Sequence, residues 1–159
     1  MASKTNAVRL VEQAKIPCRE AEYEFDENDL NGLHAAEGIG MPPEQVFKTL
    51  VARGERTGIN VFCIPVCFEL DLKKAAKAAG DMNMELIHVK ELLGLTGYIR
   101  GGCSPVGMKK LFPTVFHSSV ENLPTVIVSA GKIGYQVEVK PADLMGLVRA
   151  ETADIIVEN

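Results

Sequence analysis

Gly101-Gly102-Cys103-Ser104-Pro105-Val106-Gly107, followed by Met108, Lys109 and Lys110, is the stretch on which the rest of the chain turns. Three glycines, a proline and two small polar side chains in seven residues exclude a helix or a regular strand. Without a Cβ the backbone reaches positive φ and comes close to a ligand. Pro105 fixes its own φ and holds Ser104 extended. Such a turn can aim successive backbone N–H groups at one point, a cradle for an anion or a polarised carbonyl. An ordinary tight connection is the competing reading; the glycine density and the paired lysines favour a binding loop. Gly102 and Gly107 have the spacing of a nucleotide P-loop, but Met-Lys-Lys follows where that motif needs Lys-Ser/Thr. The Rossmann glycine spacing is absent too.

Working outward, Tyr98 to Arg100 reads as a strand entering the loop, and Val89 to Leu93 as a short helix before it. Upstream, Val46 to Ala52 and Ile59 to Val66 read as two apolar strands joined by a turn at Gly54 to Gly58. Pro65 marks a strand end or a sheet edge. Asp71 caps a helix over Leu72 to Ala79, closed by Gly80. Toward the amino terminus, an amphipathic helix spans Ser3 to Lys15, capped by Ser3 or Thr5 and ended by Pro17. A short strand starts near Arg19, and a helix covers Leu30 to Glu37, stopped by Gly38 and Gly40. Pro42-Pro43-Glu44-Gln45 makes a helical first turn. Downstream, Thr114 to His117, Thr125 to Ser129 and Tyr135 to Val139 are strands, with a turn over Ser129 to Gly134. Pro141 opens a last helix to about Arg149, and Ala153 to Val157 adds a final strand.

The 159 residues, 47% hydrophobic, suffice for one domain with a real core, and no repeat or linker divides them. The pattern is α+β, a single domain over 1–159 with a mixed, mostly antiparallel sheet. No apolar run spans a bilayer and no signal peptide stands at the start, so a cytoplasmic protein without membrane contact is expected. A formal charge of −4 argues against a general polyanion binder; nucleic-acid contact requires a local basic face. Cys18, Cys63, Cys67 and Cys103 form no metal or redox pattern, and no metal or other cofactor is assigned.

Among single side chains Lys48 is the most informative. It shares a strand face with Val46 and Leu50, opposite Phe47, Thr49 and Val51. Both faces are largely apolar, so its ammonium either snorkels out at an edge or is aimed into a pocket. Ser129 sits where a strand breaks into a glycine turn. Tyr23 offers a hydroxyl or merely packs. His34 and His88 lack a paired nucleophile, and Cys103 lacks the neighbouring base a nucleophile needs.

Together Val46-Phe47-Lys48-Thr49-Leu50, Leu70-Asp71-Leu72-Lys73-Lys74, Thr96-Gly97-Tyr98, the glycine loop through Lys110 and Val128-Ser129-Ala130-Gly131 resemble the signature segments of the YbaK/EbsC family of aminoacyl-tRNA deacylases. The similarity runs from the first helix to the last strand. It implies a barrel-like sheet with flanking helices, the fold of domains associated with prolyl-tRNA synthetase. It also implies trans-editing: removal of cysteine wrongly attached to tRNA(Pro), alongside prolyl-tRNA synthetase. Carried over by motif, Lys48 and Gly101 are catalytic, while Tyr23, Gly102, Ser104 and Ser129 bind substrate. Gln136 stands where family members can have Asp, a departure that puts a carboxylate role there in doubt. The substrate's own thiol suffices as nucleophile, giving a cyclic thioester. A regulatory binding module of the same fold, and an editor of another small amino acid such as alanine, are the alternatives.

Overall fold

A computed structural model describes residues 4–26, 28 and 30–158. In chain order the elements are α1 (Asn6–Gln13), β1 (Cys18–Glu22), α2 (Gly32–Ile39), β2 (Phe47–Gly54), β3 (Gly58–Pro65), α3 (Leu72–Ala79), β4 (Met84–Leu86) and α4 (Val89–Thr96). They continue with β5 (Thr114–His117), a 3₁₀ turn at Ser118–Asn122, β6 (Val126–Lys132), β7 (Tyr135–Val139), α5 (Pro141–Val148) and β8 (Glu151–Ala153). No helix among the described residues is long and apolar enough to cross a membrane.

The fold is α+β, and its strands form two sheets. One is antiparallel, in the order β1-β7-β6; the other runs β4-β2-β3-β5-β8, antiparallel through β4, β2 and β3 and parallel through β5 and β8. Val46 and Ile127 form a parallel bridge between the sheets, where the Ile127 N–H donates to the Gln45 carbonyl at 3.0 Å. β3 occupies one edge of β2 along its whole length. On the other edge β4 takes Ala52 to Gly54 and β6 meets only Val46. The sheets therefore splay from one seam, and the barrel-like sheet expected from the resemblance is not closed.

Alternation along β2 sorts its side chains. Phe47 and Val51 enter a core with Val61, Cys63, Phe116, the inward residues of β6 and β7, α1 (Ala7, Val8, Val11) and α5 (Leu144, Val148). Phe47 stacks on Phe116 with ring centroids 5.9 Å apart. Full burial of such side chains stabilises by about 1.5–3 kcal/mol each. On the opposite face Ala52 packs with Phe62, Ile64, Ala75, Ala76 and Ile155 beneath α3, while Val46 joins Ala36, Val66 and Ile127.

Capping chemistry places most helix ends where the sequence predicts them. The Asp71 carboxylate accepts from the N–H groups of Lys73 and Lys74, and Gly80 takes φ +73° at the end of α3. Thr5 caps α1, accepting from the Val8 N–H and donating to the Ala130 carbonyl at 2.5 Å, which ties α1 to β6; Ser3 lies outside the described residues. α2 ends at Gly40, whereas Gly38 is inside the helix. A Cβ on Gly38 would lie 2.8 Å from the Cβ of Tyr23, so that glycine admits a close crossing rather than stopping the helix.

Three expected elements differ. Tyr98 to Arg100 is not a strand but leads into a turn: the Tyr98 N–H donates to Thr96 Oγ1 and the Gly102 N–H to the Ile99 carbonyl, and no strand pairs with the segment. β6 continues through the expected turn to Lys132, its register shifting between Ser129 and Lys132 and Gly131 taking φ +96°. The last strand is Glu151–Ala153, with only a bridge from Ile156 to Leu70 beyond it. Pro65 ends β3, which lies inside its sheet.

Candidate active site

Lys48 lies opposite Ile64 in the β2–β3 ladder, on the face shared by Val46 and Leu50. It is half-buried. Desolvation lowers its pKa below the usual lysine value, and Glu69 opposes that shift. The Val46–Ile127 bridge fixes its relation to the smaller sheet. Two residues further along each strand, Lys48 and Ser129 face the same side.

Ser129 is opposite Gln136 in the β6–β7 ladder, and both are nearly buried. The Ser129 Oγ accepts from the Gly131 N–H at 3.1 Å, so its hydroxyl proton is directed elsewhere. Tyr23 lies on this same face, its hydroxyl against the Gln136 amide and the Gly134 backbone, its ring edge-on to His34 with centroids 6.5 Å apart. Burial raises the Tyr23 pKa.

The glycine loop abuts the β6–β7 turn. A Cβ on Gly102 would stand 3.1 Å from the Ile133 backbone nitrogen and 3.3 Å from the Lys132 carbonyl carbon. Gly101, at φ +87°, rests against Leu30 and Ile133. Tyr98 holds the loop in place: its hydroxyl donates to the Val106 carbonyl at 2.5 Å, its ring fills the space beside Gly131, and burial pushes its pKa up to about 12. Of the two adjacent glycines, Gly102 spends its N–H inside the turn, while the Gly101 N–H has no acceptor among the described residues.

The structure thus brings Tyr23, Ser129, Gly101 and Gly102 around the β6–β7 hairpin, and the seam relates Lys48 to them. Ser104 is different. It is fully buried and its Oγ accepts from the Val106 N–H at 3.2 Å, so this side chain shapes the loop from inside. The paired lysines also do not line the cradle. Lys109 Nζ reaches the Gly94 carbonyl near the end of α4 at 3.3 Å, and the Lys110 ammonium stands 6.0 Å above the Phe112 ring. Thr5, read from the sequence only as a helix cap, also ties α1 to β6, and Tyr98, read as part of a strand, clamps the loop. The polar side chain of Gln136 between Tyr135 and Val137 was the available signal for an outward face.

Among the described residues the neighbourhood holds no thiol with a lowered pKa: burial raises that of Cys67, the thiol on which the Lys48 charge acts. Cys103 is buried and its thiol is pushed up to about 12; Cys63 is buried within the main core and shifted upward as well. Among the described residues no three His, Cys, Asp or Glu side chains are placed to hold a metal ion. A cleft of about 260 Å³ lies behind the loop, between Leu10, Pro105, Met108, Phe112 and Leu147, away from the face that carries Lys48. The arrangement offers a half-desolvated cation, the loop N–H of Gly101 and small polar groups, a set suited to binding a polarised ester.

The chain is similar to several known proteins. A relative from Enterococcus faecalis, provisionally named Cys-tRNA(Pro)/Cys-tRNA(Cys) deacylase EbsC, is 47% identical over 96% of this chain and 93% of its own length. A solved structure described, again provisionally, as a trans-editing enzyme for prolyl-tRNA synthetase is 25% identical, with TM-score 0.80 over 98% of this chain and 100% of that one. Bacillus subtilis YwhH, which is uncharacterised, is 26% identical over 76% of both chains. Residues 33–147, a span that includes Lys48, the glycine loop and Ser129, match the aminoacyl-tRNA editing domain, and the chain belongs to that family.

Proposed function

We propose that this chain is a trans-editing deacylase that clears cysteine from tRNA(Pro), with prolyl-tRNA synthetase as its partner, and that the substrate's own thiol is the nucleophile. The reading rests chiefly on one observation: a half-buried lysine cation lies on the strand whose start is bridged to β6, which carries Ser129, and burial raises the pKa of the nearby Cys67 thiol. The 47% identity to the Enterococcus faecalis relative supports the substrate class.

Lys48 holds a positive charge at neutral pH and binds a phosphate or carbonyl oxygen rather than taking a proton. The Gly101 N–H faces the oxyanion as the carbonyl becomes tetrahedral. The cysteinyl sulfur attacks its own carbonyl carbon, the ester C–O bond breaks, and the thiol proton ends on the departing ribose oxygen. The amino acid leaves as a cyclic thioester, which water then opens. Holding sulfur and carbonyl together exploits the high effective molarity of an intramolecular reaction. Tyr23, Ser129 and Gly102 bound the pocket; Ser104 acts through the loop's shape. The test is an ester whose sulfur is blocked. S-methyl-cysteinyl-tRNA(Pro) is expected to survive incubation that deacylates Cys-tRNA(Pro), and cleavage of both at similar rates rejects substrate assistance.

A further inference from the structure

The cleft of about 260 Å³ behind the glycine loop takes its walls from Leu10 of α1, Leu147 of α5 and, after the loop, Met108 and Phe112. Pro105 to Gly107, the second half of the loop, line it as well. Gly107, at φ +81°, lets the loop run close to α1: a Cβ there would stand 3.3 Å from a methyl of Leu10. The walls are apolar but not sealed into the core, since Leu10, Met108, Phe112 and Leu147 are each only partly buried. Water in such a concavity is displaced favourably by an apolar occupant.

One lining side chain is charged, Lys110, and none is a carboxylate. The Lys110 ammonium stands 6.0 Å above the Phe112 ring, so its charge is held at the apolar wall. Lys4, Arg53 and Lys74 are ion-paired with Glu12, Glu91 and Asp154, whereas Lys110 has no carboxylate partner among the described residues. The lining's single hydroxyl, on Thr114, donates to the Phe112 carbonyl at 2.9 Å and is spent there. An unpaired cation beside apolar walls suits one anionic group on a hydrocarbon. A zwitterion such as a free amino acid fits less well, because no lining carboxylate receives its ammonium.

We infer that the cleft binds a small apolar monocarboxylic acid, its carboxylate on Lys110 and its hydrocarbon between Leu10, Met108, Phe112 and Leu147. At the packing density of a protein interior, about 0.75, the volume holds about ten non-hydrogen atoms. The bound acid rests on Val106, whose carbonyl the Tyr98 hydroxyl holds, and so braces the glycine loop from behind. This site is separate from the one that carries Lys48, and it stands whichever ester the protein cleaves.

The probe is octanoate, with 1-octanol as its neutral counterpart, titrated into protein carrying labelled methionine methyl groups and followed by NMR. Octanoate is expected to shift the Met108 methyl with a Kd of about 0.1–1 mM, the range open to a ligand of this size, while Met82, 74% exposed and outside the cleft, stays in place. Lys110→Gln weakens octanoate about three- to fivefold, as loss of an exposed ion pair does, and leaves octanol unchanged. Lys109→Gln binds like wild type, because Lys109 Nζ reaches the Gly94 carbonyl instead. A Met108 signal that octanoate does not move overturns the inference, as does equal affinity in wild type and Lys110→Gln. Octanol bound as tightly as octanoate also overturns it, by removing the role of the charge. A wild type that sediments as a dimer and takes up no octanoate assigns the cleft to a second copy of the chain and rejects the acid.

Discussion

The Tyr98 hydroxyl donates to the carbonyl of Val106, closing the glycine loop across its width. The same ring lies against Gly131 at the β6 irregularity, so one side chain sets the distance between the loop and the strand that carries Ser129. Tyr98→Phe removes only the hydroxyl. It leaves the Val106 carbonyl without that donor and costs about 1 kcal/mol, read as a lower midpoint in urea. Deacylation falls by more than the stability loss explains, because the Gly101 N–H shifts relative to Lys48. Unchanged turnover would show that the loop needs no such clamp.

Gly102→Ala tests the close approach of loop and hairpin. The new methyl meets backbone atoms of Lys132 and Ile133, which cannot swing aside as a side chain can. Overpacking of this kind costs about 1–3 kcal/mol, so a lowered Tm and a loss of turnover are expected together. An alanine variant with wild-type Tm and activity contradicts the geometry.

Lys48 has a pH signature with a definite sign. Its pKa is lowered by desolvation, so activity that needs the cation declines as pH rises through a value below the ordinary 10.5. The folded state releases this proton before the unfolded chain does, so loss of the charge favours folding as pH rises through that same window. Lys48→Met removes a half-desolvated charge from between Ile64 and Val46 and is expected to raise Tm slightly while abolishing turnover. A thermal melt alongside a single-turnover assay checks both halves; a lowered Tm would mean that the ammonium is well paired instead.

Asp81 gives an independent acid-stability prediction. Its carboxylate accepts from the N–H groups of Arg56, Thr57 and Met82 and from the Thr57 hydroxyl, fastening the β2–β3 turn to the end of α3. Burial raises its pKa, and these donors outweigh that to leave it well below the usual carboxylate range. Its contribution is complete above the unfolded value of about 3.9 and disappears as pH falls from there through the folded pKa. Asp81→Asn is therefore less stable at neutral pH, and the gap narrows in acid. A gap that is constant with pH would place its cause outside the carboxylate.

What the sequence makes legible follows the range of the interactions. α3 reads directly because Asp71 and Gly80 act within a turn of the residues they cap. The β2 face pattern is equally local, and places Lys48 opposite Phe47, Thr49 and Val51 as alternation requires. The segment at Tyr98 has strand-forming residues, but Thr96 Oγ1 captures its N–H and no strand is available to pair with it. Lys109 and Lys110 look like part of the loop's chemistry; only folding reveals that Lys109 reaches back to α4. The seam at Val46 and Ile127 joins positions far apart in the chain, and nothing local to either residue announces it. For the same reason the relation of Lys48 to Ser129 is a property of the fold rather than of either motif.

The central claim is thiol-assisted editing at Lys48, and deacylation of Cys-tRNA(Pro) measured beside Ala-tRNA(Pro), with wild type and Lys48→Ala, tests it most directly. Cysteine is released, alanine is retained, and the variant loses at least about a hundredfold in rate, as removal of a preorganised electrostatic contact would cause. Cleavage of both esters at comparable rates, or a fully active Lys48→Ala, contradicts the account.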